Sequence, residues 1–387
     1  MDTVTSPPPL RSLTTRTLDF WMLGGASIVL WAVMFAFEGD GREAWAINHH
    51  FLNLMALSGS LAIVCNYPHF MASYQLAYSQ GTRFILEHWF QLIAVPIALI
   101  GVLGAGYSLY HEPTTSSAFS SLNAGLTALG LDTQIGLGPT HGQELMSLLI
   151  QVMFFTVGWH YAKQVYGCMR VMANFDGYRL TPQQWQLVKG CLFAVWGTSF
   201  VHANVGNSSR NLHEVGYVTL GLPVWVDALA LVVFLYLFCA VALLMRNIHK
   251  STGQRPSINM LVAPVAFIIW WLPPLVQIDF YIWIVPFFHS LQYLGFVYKI
   301  EGNRLQTTRP DATPMWGGIT AMALVVVGFV TFELIPNTAD HFFDTQGEMG
   351  AWFFFASAVI FINVHHYFID NVIWRFSNNR IRQFLLS

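Results

Sequence analysis

Stretches of about twenty mostly apolar residues recur from one end of this chain to the other, and a helix of that length crosses the hydrocarbon core of a bilayer. Ten are read, at 20–37, 51–71, 90–110, 145–165, 187–205, 222–245, 260–275, 280–298, 316–335 and 351–374. In lipid the backbone can satisfy its polar groups only in helices or a closed barrel, and runs this long select helices. The expected fold is therefore all-α, a polytopic membrane helix bundle of ten spans. Residues 20–375 form its one transmembrane domain, between a polar Pro/Ser/Thr-rich tail at 1–19 and a short tail at 376–387. Composition agrees: 10% of residues are charged, against about 25% in soluble domains. The first stretch lacks a small-residue cleavage pattern and reads as a retained helix. The seventh is short and ends in Pro273-Pro274, so the seventh and eighth also read as one broken hairpin.

Charge orients the bundle. Of the 18 Lys and Arg, only Arg42 and Arg210 fall in outer loops when the N-terminus is placed inside. The positive-inside rule then holds at every loop, with both termini cytoplasmic. The expected location is integral and multi-pass, in the bacterial inner membrane. A net charge of -2 gives no basic surface for nucleic acid, and four cysteines without a CxxC pair give no disulfide framework. The outer loop 111–144 is expected to carry a short interfacial helix. In the inner loop, Asp176-Gly177 reads as a turn, and Thr181-Pro182 as a helix N-cap with proline at the first position.

Histidines number 14, a high count for a chain this apolar. Those on the outer side, including the adjacent His49 and His50, lie mostly in aqueous loops and need no special explanation. The inner set lies inside helices: His69 in the second stretch, His160 in the fourth, His289 in the eighth, and His365 and His366 in the tenth. All four are even-numbered stretches running outside to inside, so their histidines reach similar depth in the inner half of the membrane. Ionisable groups at such depth usually face a bundle interior or a water-filled cavity. Four helices delivering imidazole to one level is what a metal site in a bundle requires. Neutral imidazole suits Fe, Cu, Zn and Ni, and a histidine set with or without a carboxylate and with open positions suits non-haem Fe(II). Groups able to orient the rings or meet a substrate lie nearby: Asn66 or Tyr74 for His69, Gln164 for His160, Gln292 for His289, and Asp370, four residues after His366 on the same helix face. His88, beside Glu87, opens the third stretch and could join. The bland alternative is that each histidine hydrogen-bonds a neighbouring helix. The HxxxH and HxxHH boxes of membrane desaturases are absent, as are Walker A, GxGxxG, GxSxG and HExxH patterns.

At Pro68-His69-Phe70, Trp159-His160-Tyr161, His289-Ser290-Leu291-Gln292 and His365-His366-Tyr367 the chain resembles the Brp/Blh-type membrane β-carotene dioxygenases, with Asn66-Tyr67-Pro68-His69-Phe70 standing where that family has a Gly-Leu-Pro-His-Gly type of motif. The resemblance implies a histidine-rich polytopic non-haem iron oxygenase, taking a hydrophobic isoprenoid substrate from lipid together with O2. The sequence reading is thus a histidine-ligated membrane metalloenzyme, an oxidoreductase of the iron oxygenase kind, acting on a lipid-like substrate and drawing on an unidentified electron donor. Two other classes remain open: a bis-histidine haem electron-transfer protein, or another transition-metal site, and a membrane transporter built on the Pro-broken segment and Asp370. A scaffold subunit is the dullest reading.

Overall fold

The computed structural model describes residues 11–37, 57, 59–117, 119–131, 135–136, 138–275, 281–308, 314–343, 352–375 and 378–386. His49, His50 and Arg42 lie outside the described residues. Each apolar stretch falls, in its described part, on a helix: α1 (Ala26–Phe37), α2 (Tyr67–Tyr78), α3 (Val95–Ser108), α4 (His141–Phe175), α5 (Pro182–Ala203), α6 (Val224–Thr252), α7 (Ile258–Trp271), α8 (Tyr281–Thr308), α9 (Pro314–Phe329) and α10 (Phe353–Ile373). Six helical runs are long and apolar enough by themselves to cross a membrane, which makes this a multi-pass membrane protein.

The fold is nearly, but not wholly, α. Between α5 and α6 a two-stranded antiparallel hairpin forms, β1 (Ser209–Leu212) and β2 (Val215–Val218). Its two-residue turn, His213-Glu214, has φ of 48° and 68°. Positive φ at both positions is the turn whose twist suits a hairpin, normally signalled by Asn-Gly or Asp-Gly. Histidine and glutamate there gave no such signal. The short helix expected in the outer loop is Ser120–Ala128.

Local chemistry sets the helix boundaries. The first helical run starts at Arg16, inside the expected tail, because Thr15 accepts from the Leu18 amide. Asp19 anchors the preceding turn, accepting from the amides of Leu13 (2.8 Å) and Thr14 (2.9 Å). The Thr181 cap is a full capping box with Gln184, Pro182 follows it, and Gly177 takes φ 67° in the turn before. Three π turns, Ala62–Asn66, Phe90–Ala94 and Val330–Leu334, each end two residues before a proline: Pro68, Pro96 and Pro336. A proline ring clashes with the carbonyl four residues back. In each turn the residue before the proline bonds five residues back instead, Tyr67 to the Ala62 carbonyl, for example. The widened turn makes room for the ring.

Helices α4 and α10 are the inner ones, more than half buried, whereas α6 and the run 315–342 turn almost all of their apolar surface outward. Helix α4 packs against α3, α5, α7, α10 and β2, and α10 against α2 and α3. The α3–α4 approach depends on glycine, since a Cβ on Gly142 would lie 2.4 Å from the Gly106 carbonyl oxygen. At one end of the bundle the two described chain ends meet. Arg11 donates to the Leu386 carbonyl (2.7 Å), Arg16 pairs with Asp176 (2.6 Å), and α8 holds α11 (Asn379–Leu386) through Asn303 and the Phe384 carbonyl.

Candidate metal centre

Helices α2, α4, α8 and α10 each contribute one histidine to a single point. His69, His160, His289 and His366 are 0–5% exposed, and one ring nitrogen from each lies within 4.8 Å of the other three. Nε2 of His69 stands 3.0 Å from Nε2 of His366, and Nε2 of His160 stands 3.1 Å from Nε2 of His289.

The far sides of two rings decide what these nitrogens are. Nδ1 of His69 is 3.1 Å from the Asn66 carbonyl, which can only accept, so Nδ1 carries the hydrogen and Nε2 a bare lone pair. Nδ1 of His366 is 2.7 Å from the Ser73 hydroxyl. Ser73 is also 2.7 Å from the Phe70 carbonyl, and with its one proton turned there it accepts from His366, which leaves Nε2 of His366 bare as well. In that tautomer two lone pairs face each other at 3.0 Å in the buried interior. An unpartnered buried acceptor already costs about 1–3 kcal/mol, and two pointing together also repel. A cation between them removes both penalties. With metal–nitrogen bonds of about 2.1 Å, neighbouring ligands at right angles stand about 3.0 Å apart and opposite ones about 4.2 Å. The two close pairs match the first spacing, and all four nitrogens could close on one ion with small movements.

Asp370 completes one side. Its Oδ2 lies 3.5 Å from Nε2 of His366 and 3.7 Å from Nε2 of His160, and its Oδ1 accepts from the Tyr293 hydroxyl at 3.0 Å. Tyr161 stacks on the His289 ring at 3.8 Å and Tyr367 on His160 at 4.7 Å, which fixes the ring planes. A haem fits poorly: in any gap between two of these rings, its macrocycle would run into the other two.

The remaining residues singled out in the sequence are placed differently. His365, one residue and about 100° further back around α10, faces away from the group and meets the Tyr74 hydroxyl at 2.9 Å. Tyr74 thus partners His365 and not His69. Gln164 donates to the His289 carbonyl (2.9 Å) and to Gln292 (3.2 Å), bracing α4 against α8 without touching the His160 ring. Gln292 donates to the Leu23 carbonyl instead of the His289 ring. His88 donates to the Phe84 carbonyl and does not join. Sequence reasoning missed Ser73 and Ser290, the hydroxyls behind the rings; Ser290 lies 3.0 Å from Nδ1 of His69. Ser73 had a signal, since it follows His69 by one turn on the same face. Ser290 reaches His69 from another helix, and nothing in the sequence announces that.

A cavity of about 300 Å³ reaches the group from the end where Arg11 meets Leu386, with His160, Asp370 and Tyr293 at its floor. No family model, curated protein or solved structure matches the chain.

Proposed function

We propose that this protein is a membrane metalloenzyme in which His69, His160, His289 and His366 hold one transition-metal ion, with Asp370 beside it as fifth donor or base. The observation that carries this reading is the convergence of four buried imidazole nitrogens, one from each of four helices, within 4.8 Å of one another. We take the metal to be iron and the activity to be that of an oxygenase on a lipid-like or isoprenoid substrate. The histidine-rich donor set, the neighbouring carboxylate and the sequence resemblance support that choice. Iron there would supply reaction with O2. The protein would orient the rings through Ser73, Ser290 and the Asn66 carbonyl, hold a proton-accepting carboxylate at Asp370, and keep bulk water out with the aromatic wall. An electron donor, if the reaction needs one, would approach from the side bearing the basic loops.

The finer topology belongs to the same proposal: ten spans, both termini cytoplasmic, in the bacterial inner membrane. The Lys and Arg distribution supports it, and the contact between Arg11 and Leu386 agrees with chain ends on one side.

The test is metal content and visible spectrum of protein purified in mild detergent, for wild type and His366→Ala. One equivalent of iron without a haem band, lost in the variant, is the expected result. A haem band, or wild-type protein that holds no metal and refuses added Fe(II), Zn(II) and Co(II), overturns the reading.

A further inference from the structure

The cavity beside the metal centre is chemically two-ended. Its floor is His160, Asp370 and Tyr293, and its walls include Phe296, Trp374 and Leu385, the last from α11. Four cations also line it: Lys163, Lys189, Arg375 and Arg382. Among the described residues Asp370 is the one carboxylate in the lining, and it belongs to the floor. Three of the cations have uncharged groups against them. Lys163 donates to the Asn371 side chain (2.6 Å) and lies over the Trp159 ring, Lys189 lies over the Phe193 ring, and Arg375 donates to the Asn371 carbonyl (2.8 Å). No ion pair among the described residues uses Lys163, Lys189 or Arg375. Asp370 acts electrostatically on Lys163, but one carboxylate does not balance the cations around this pocket, and like charges gathered so repel one another and attract an anion. Asp370 stands in the last turn of α10, and Arg375 lies beyond the end of that helix at Ile373.

We infer that this cavity binds a single-chain amphiphile with an anionic head, a carboxylate or a phosphate. The head sits among Lys163, Lys189, Arg375 and Arg382, and the chain runs inward over Phe296 and Trp374 to Asp370 and His160. The volume is at the small end of ligand pockets, enough for one chain of moderate length and too small for a two-chain lipid or a long polyene. The proposal names the substrate class of the metal centre and rests on that reading for its chemistry, though not for binding.

Binding is measured in non-ionic detergent with a fluorescent fatty acid, displaced in turn by an unlabelled fatty acid, an alkyl phosphate and a fatty alcohol of equal chain length. The proteins are wild type, Lys189→Gln/Arg375→Gln and His366→Ala, with His366→Gln held in reserve should the alanine variant be unstable. Both anions are expected to bind wild type about tenfold or more tightly than the alcohol, and the better of the two identifies the head group. The double variant should lose that preference and keep its metal. His366→Ala should keep the preference and lose the metal. Equal binding of alcohol and anions, or a preference that survives in the double variant, overturns the inference. A preference intact in wild type that proves unable to hold metal leaves the binding site standing and removes the metal-centre reading alone.

Discussion

Replacing Ser73 by alanine tests the geometry of the metal centre without touching a ligand. Ser73 is fully buried, and its hydroxyl is the acceptor for Nδ1–H of His366 at 2.7 Å. In the metal-bound protein that hydrogen must stay on Nδ1, because Nε2 faces the ion. Alanine leaves a buried N–H without an acceptor, a loss of about 1–3 kcal/mol. The metal-free protein escapes most of that loss. Its His366 can shift the hydrogen to Nε2 and donate across 3.0 Å to the bare Nε2 of His69. The penalty therefore falls on the bound state and emerges as weakened affinity. At about 1.4 kcal/mol per factor of ten, the expected loss is roughly 5- to 150-fold, in the range general for groups that support a metal ligand. Competition against a chromophoric chelator, on detergent-purified protein, reads it directly. Ser357→Ala is the control: Ser357 is also buried in α10, its hydroxyl has no partner among the described residues, and its loss should leave affinity unchanged and thermal stability equal or slightly higher. If Ser73→Ala binds metal within twofold of wild type, the tautomer assignment is wrong, and with it the argument that two lone pairs face each other.

Three further outcomes follow from other parts of the structure. His365→Ala and Tyr74→Phe should keep full metal content, because those two side chains bond each other away from the group; metal analysis beside His366→Ala separates the adjacent histidines. Gly142→Ala should depress the melting temperature sharply or prevent folding, since the new methyl meets the Gly106 carbonyl at 2.4 Å and the Tyr110 backbone, whereas Gly197→Ala, with nothing within 4 Å, should be neutral or gain up to about 1 kcal/mol. Thr181→Ala removes the capping box of α5 and should cost about 1 kcal/mol, seen as a lower melting temperature with unchanged metal content.

The histidines show where a sequence is legible and where it is not. Depth along a membrane helix can be read from the chain, because each residue advances a fixed distance between two polar loops. That is why His69, His160, His289 and His366 could be placed at one level before any coordinates. Rotation about the helix axis is harder, and α10 shows both sides of the difficulty. The spacing of His366 and Asp370 correctly placed them on one face, but which of the adjacent pair His365 and His366 turned inward depended on what α10 packs against. Partners from another helix were invisible for the same reason: Gln164 and Gln292 found each other instead of the rings beside them in sequence, and Ser290 found His69. The hairpin between α5 and α6 escaped notice because its turn is made by His213 and Glu214, residues that seldom take positive φ.

The π turn ahead of Pro68 has a meaning for chain length. A π turn is one residue more than an α-helix needs over the same rise, so Ala62–Asn66 holds what amounts to an insertion, accommodated by the proline that follows. The two belong together. Deleting one residue from 62–66 alone would drive the Pro68 ring into a carbonyl and turn everything before it by about 100° relative to His69. Removing the proline alone would leave a surplus residue with no reason to stay. A lineage of such chains would be expected to gain or lose the two in step, so that a relative without a proline at this place would also be one residue shorter in this helix.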